Sequence, residues 1–218
     1  DLVTYQVTDV TPSWNNNPEN GGFFISKDGA LFTMTAQISN TGNQDVTSSF
    51  NIIGQILDSN FSLVLSDTVV INILGFGKDT VITFLNTYTP GIAGTHVFRV
   101  RTKLAADMNA GNDTNDVEMF VADTTTANVT LRYDAGTQSG VINWSGGGGG
   151  GIYIEPPFYP ATITALSFYM VTNSAAAGFI TTLRDDDGAA GVPGTLLKTD
   201  TFPGGVFASA VYTTVGLS

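Results

Sequence analysis

The amino-acid sequence predicts an all-β protein made of two tandem β-sandwich domains, the first immunoglobulin-like and the second jelly-roll-like. Three observations predict it. Short runs of β-branched and aromatic residues recur at intervals of about a dozen residues, separated by clusters of Asp, Asn, Gly and Pro. Charged residues make up only 12% of the chain and Thr, Ser, Asn and Gly fill the polar positions, a composition that favours strands over helices. A polar hinge, Asp123-Thr124-Thr125-Thr126-Ala127, interrupts the pattern partway along the 218 residues and sets the domains at 1–123 and 124–218.

In the first domain, Leu2–Thr8 is rich in strand formers, and Thr11-Pro12-Ser13-Trp14 with the three Asn that follow reads as a loop. From Ala30 to Ser39 the residues alternate, so that Phe32, Met34, Ala36 and Ile38 share one face, the expected core face. Further strands are expected at 49–57, 63–73, 78–85, 95–103 and 116–122, giving seven in all. In the second domain the expected strands are 129–133, 141–144, 152–155, 161–171, 178–184, 195–199 and 206–215, with Phe168, Tyr169 and Phe179 in a second core. Gly146–Gly151, six glycines in a row, reads as a loop with high chain entropy.

The turns also carry a resemblance. Asp1-Leu2, Ser39-Asn40-Thr41-Gly42-Asn43, Gly94–Val100 and the stretch from Asp107 through Asn112 to Asp116 resemble the CARDB-type adhesion modules of bacterial and archaeal surface proteins, over about residues 1–123. That resemblance implies a sandwich used as a spacer or adhesive unit. In the second half, Tyr133-Asp134, Pro157 and Pro160 before Ile163–Tyr169, and Asp185-Asp186-Asp187-Gly188 leading to Val192-Pro193-Gly194-Thr195-Leu196 are similar to β-sandwich modules near the C-termini of secreted Bacteroidota-type proteins. Without a Met start, the chain reads as mature or excised. It also reads as stopping one or two strands short of a closed second sandwich, an edge that either residues beyond Ser218 or a neighbouring copy's strand would complete.

The formal net charge of −11 argues against a nucleic-acid partner, which needs clustered Lys and Arg. No apolar run reaches the roughly 18 residues of a membrane span. Zero cysteines exclude disulfides and thiolate metal sites. His96 is the lone histidine, and no hydrolase elbow, zincin or phosphate-loop motif occurs, so no catalytic residue is expected and the chain reads as a non-enzyme.

Calcium is the cofactor the residues would suit, because its oxygen ligands come from Asp, Asn and backbone carbonyls in loops. Two loops qualify: Asp107, Asn109 and Asp113 in the first domain, and Asp185 and Asp187 in the second; in both, turn formation by the same side chains is the competing reading. Trp14, Trp144, Tyr153, Phe158 and Tyr159 lie in or beside loops, where their rings could stack on sugars or cap the core. The reading that unites these features is a secreted, cell-surface structural or adhesion protein that associates with itself or with other surface proteins and glycans, extending to filament assembly by strand complementation. The alternative is a carbohydrate-binding accessory region of a larger secreted hydrolase.

Overall fold

A computed structural model describes residues 5–17, 22–134, 148–171 and 178–217. The chain is all-β, as the sequence predicts, with twelve strands and a single 3-10 turn among the described residues. It divides into two compact units, one holding the described residues up to 134 together with Gly149–Pro160, the other holding Gly148 and the residues from Ala161 onward.

The first unit is a sandwich. One sheet has the order β1 (Val10–Asn15), β3 (Phe32–Asn40), β6 (Asp79–Tyr88); the other runs β2 (Phe23–Ser26), β8 (Thr114–Ala122), β7 (Gly94–Lys103), β4 (Phe50–Leu57), β5 (Leu63–Ile71). Every pair is antiparallel except β2 with β8, which run parallel from Phe23↔Met119 to Ser26↔Ala122. The alternation read from Ala30–Ser39 holds: Met34, Ala36 and Ile38 are fully buried on β3, facing Ile52, Ile56, Phe98 and Val100 of the other sheet. Phe84 on β6 lies against Gly54 on β4, where a Cβ would meet three of its ring carbons at 2.7–2.9 Å. The missing side chain on β4 is therefore the hole into which the phenyl ring of the opposite sheet fits.

Four expected elements differ. No strand forms at residues 5–8; instead Val7 donates its N–H to Asn43 Oδ1 (2.7 Å) and its carbonyl accepts from Asn43 N–H, so a side chain takes the place of a partner strand. The stretch expected to be a loop, Thr11–Trp14, is the middle of β1. This edge strand accommodates Pro12 with a register shift between Pro12 and Trp14. The four-residue β2 is absent from the sequence reading, because its parallel partner lies almost a hundred residues away and so short a run shows no period. Residues 129–133 and 152–155 are not strands; Pro156 and Pro157 end the second run, and proline has no N–H to give a ladder. The strand expected at 141–144 lies outside the described residues.

The second unit contains two ribbons, β9 (Ala165–Met170) with β12 (Val211–Gly216) and β10 (Phe179–Arg184) with β11 (Leu196–Phe202). Its apolar centre is aromatic: Phe179 lies 5.7 Å from Phe168, 5.0 Å from Phe202 and 5.5 Å from Phe207 between ring centroids. Tyr169, expected in that core, instead meets Tyr212 edge to face across the ribbon at 5.1 Å.

Candidate functional site

Three asparagines at the end of β1 build the crossover by which the chain leaves one sheet and enters the other. Asn15 is fully buried; its Nδ2 donates to the carbonyls of Phe98 (3.0 Å) and Asn115 (2.9 Å) on β7 and β8. Asn16, at φ 46°, donates to Thr33 O and accepts from Thr35 N–H on β3. Asn17 donates to the carbonyl of Gly22 just before β2. The short, polar side chain of asparagine tolerates the left-handed backbone and supplies both a donor and an acceptor, which suits it to a bend that leaves ladder groups unpaired.

Beyond the crossover, β2 is fastened to the strand on which the first unit ends. After the four paired residues, Lys27 N–H donates to Ala122 O (2.8 Å), and Lys27 Nζ lies 3.6 Å from Asp123 Oδ2. The Thr125 hydroxyl and N–H both donate to Asp123, and they hold its carboxyl below the ordinary range; the lysine adds to the effect. On the opposite flank, β5 turns Asp67 inward. Its carboxylate accepts N–H bonds from Asn86 and Thr68, both at 2.7 Å, and the Asn86 bond chiefly lowers its pKa. An inward charge satisfied by β6 ties the two sheets together at this edge and discourages the addition of a further strand.

A cleft of about 440 Å³ follows the free edge of β2. One wall holds Phe23 stacked on Phe32 (5.4 Å, 23° between planes), another holds Phe24 against Tyr133 (5.0 Å), and the third is Tyr153, Glu155, Pro156 and Pro157. Of the residues expected to stack on glycans, Tyr153 is here and half exposed. Trp14 lies on β1 with its indole N–H donated to Gln37 (2.8 Å), Tyr159 is 74% exposed beside the cis bond to Pro160, and Trp144 lies outside the described residues. The sequence gives the tyrosine but not its neighbours on the edge of β2.

The acidic loops are occupied by the protein's own donors. In the first, Asp107 accepts from Val10 N–H (2.9 Å) and Asn109 N–H (2.8 Å), and Asp113 accepts from the Thr102 hydroxyl (3.0 Å). Burial pushes the Asp113 carboxyl up, and the charges of Asp107 and Asp9 push it the same way. Asp9, unmarked in the sequence, joins this loop from 103 residues away by accepting from Asn112 Nδ2 (3.1 Å). In the second loop β10 ends at Arg184, so Asp185–Asp187 lie in the turn rather than on a strand: Asp187 takes both the N–H (2.6 Å) and the hydroxyl (2.5 Å) of Thr195, which lower its pKa, and Asp185 accepts from Asp186 N–H (3.0 Å). Among the described residues no three acidic or histidine side chains come together in a way that could hold a metal ion. His96 is fully buried on β7 beside Tyr88, out of reach of any substrate.

The architecture is that of an all-β protein whose first unit is an immunoglobulin-like sandwich. No family model matches the sequence, and no curated protein does. Among solved structures, the chain is similar to a domain of a Methanosarcina acetivorans protein described as a cell surface protein: 23% identity, 53% of this chain, 93% of that one, TM-score 0.41. It is similar to the CARDB domain of a Pyrococcus furiosus protein in complex with di-metal ions at 20% identity, over 56% of this chain and 95% of that one, with TM-score 0.41. A β-glucuronidase of glycoside hydrolase family 2 is similar at 16% identity, over 56% of this chain and 12% of that one, with TM-score 0.35.

Proposed function

We propose that the chain is a non-catalytic, load-bearing spacer of an extracellular surface protein. The observation that carries this reading is the parallel pairing of β2 with β8. Tension applied across the first unit passes through β1, which pairs with β3, before it reaches β2, and it leaves after β8. In a parallel pair that pull runs along the strands in opposite senses, so all the ladder bonds and the Lys27–Asp123 contact are loaded together in shear. A hairpin pulled at its open end breaks its bonds one at a time.

Because the chain has no cysteine, engineered pairs give unique handles for single-molecule pulling. Force applied between Tyr5→Cys and Thr124→Cys loads β2 against β8 once β1 has detached from β3, whereas Asn51→Cys with Val70→Cys opens the β4–β5 hairpin from one end. The first geometry is expected to need several times the force of the second. Adding Lys27→Pro, which deletes the bond to Ala122 and the ion pair, is expected to close most of that gap. Equal forces in the two geometries would refute the load-bearing reading.

A further inference from the structure

Cations are scarce in this chain, eight Lys and Arg against nineteen Asp and Glu, yet three of them share one face of one strand. Alternation along β7 buries His96, Phe98, Val100 and Thr102, so Arg99, Arg101 and Lys103 stand on the outer face of the five-stranded sheet, about 6.6 Å from one Cα to the next. We propose that this ladder binds the carboxylate of a uronic acid in an acidic glycan, which gives the first unit a ligand site apart from any load-bearing role.

The three cations differ in what β8 sets against them. Arg99 stands opposite Asp116, and its Nε and Nη2 donate to the two carboxylate oxygens at 2.7 and 2.6 Å, a fork that neutralises it. Arg101 stands opposite Thr114, whose hydroxyl carries no charge. Its Nε–H is covered without an acceptor, and among the described residues no carboxylate lies within ion-pairing distance of it. Lys103, exposed at the end of β7 and opposite Asn51 on β4, is attracted by Asp113 but forms no ion pair with it. A carboxylate from outside would give Arg101 the two parallel hydrogen bonds that Asp116 gives Arg99, with the Lys103 ammonium beside it.

The surroundings of the pair point to a sugar as the carrier of that carboxylate. Thr114, Asn51, Gln55 and Thr68 face outward around Arg101, and Ile53 lies half-buried between Arg101 and Thr68. Uncharged hydroxyls and amides suit the hydroxyls of a pyranose, and the isoleucine suits its C–H face. A net charge of −11 repels a densely charged polymer such as nucleic acid, whereas one carboxylate on an otherwise neutral ring asks for no more than these two cations. The acidic groups of a second copy fit less well, because Asp67, Asp113 and Asp187 already accept N–H or O–H groups of their own chain.

The test is NMR of the whole chain titrated with the sodium salt of methyl glucuronide, with methyl glucoside and with sodium sulfate, each to high millimolar concentration. The glucuronide is expected to give saturable shifts at Arg101, Lys103 and Thr114, the glucoside none, and sulfate weaker ones at the same place. Arg101→Gln is expected to lower affinity for the glucuronide about tenfold. Arg101→Lys, which keeps the charge and loses the fork, falls between the two. Lys103→Gln, at an exposed position, lowers affinity without putting the fold at risk. Asp116→Asn releases Arg99 and is expected to tighten binding severalfold. No saturable shift with the glucuronide, shifts that lie elsewhere, equal affinity for sulfate or for the neutral glucoside, or unchanged affinity in Arg101→Gln, Lys103→Gln or Asp116→Asn would each overturn the proposal. Shifts at the same residues that grow with protein concentration alone would overturn it too, by giving the ladder to a second copy.

Discussion

Replacing Asn15 by alanine tests the crossover that joins the two sheets. Asn15 is fully buried, and its amide donates to two carbonyls on two strands of the facing sheet, at 3.0 and 2.9 Å; a longer contact from Asn115 Nδ2 at 3.4 Å reaches its oxygen. Alanine removes both donors and leaves a space that the surrounding strands cannot close. Each buried acceptor left without its donor costs about 1–3 kcal/mol, and some of that returns where the carbonyl finds another partner, so a total loss of about 3 kcal/mol is expected. For a unit of this size that corresponds to a fall in melting temperature of roughly 10 °C. Asn15→Asp should be worse, since it turns a carboxylate toward the same two carbonyls. Urea unfolding followed by near-ultraviolet circular dichroism gives the stability, and the slope against urea tells whether the folded state keeps its compactness. Asn115→Ala, which removes only the long contact, should cost well under half as much. A loss below about 1 kcal/mol for Asn15→Ala, with the slope unchanged, would mean that the crossover does not depend on this side chain.

Two further outcomes follow from the carboxylates. Asp67 and Asp58 have their pKa values lowered, chiefly by the N–H groups of Asn86 and Ser62, so the stability they contribute is present above the unfolded carboxylate value and lost as pH falls through the folded values. Asp113, raised chiefly by burial, works in the opposite sense and gains as it is protonated. The melting temperature is therefore expected to stay level down to about pH 5 and to drop below about pH 4, with a shallower drop in Asp67→Asn; a decline that starts near neutrality would contradict this. Because Asp107, Asp113 and Asp187 already accept protein N–H or O–H groups, calcium and EDTA should leave the melting curve unchanged. A calcium-dependent rise, abolished by Asp107→Asn or by Asp187→Asn, would restore a metal to one of those loops.

What was legible in the sequence is what depends on near neighbours. Alternation over Ala30–Ser39 places Met34, Ala36 and Ile38 correctly because a strand shows its faces to any reader who counts by two. The Asn-Asn-Asn run reads as a loop for an equally local reason: Asn is a turn residue, and nothing nearby says that Asn15 will find carbonyls 83 and 100 positions later. Asp9 escaped notice in the same way, since its partner Asn112 lies in the β7–β8 loop and meets it only when the segment before β1 packs beside that hairpin. The three consecutive Asp residues left two readings open, a calcium loop and a turn. Thr195 donates to Asp187 across the turn, and a side chain at Gly194 would collide with Asp187 Oδ1. That steric fit explains the glycine better than flexibility does.

The segment from Asn15 to Lys27 concentrates the consequences of this fold. A four-residue parallel strand at a sheet edge is short for a stable ladder, so β2 must draw its hold from elsewhere. It draws it from Phe23 and Ile25 packed on the core, from the asparagines that fix its entry, and from Lys27 bonded to Ala122 and Asp123 at its exit. Among the described residues no strand pairs with its outer edge, and that edge, with Phe23 and Phe24 on either side, borders the cleft. Lengthening β2 or pairing its free edge would strengthen the ladder and fill the cleft at once.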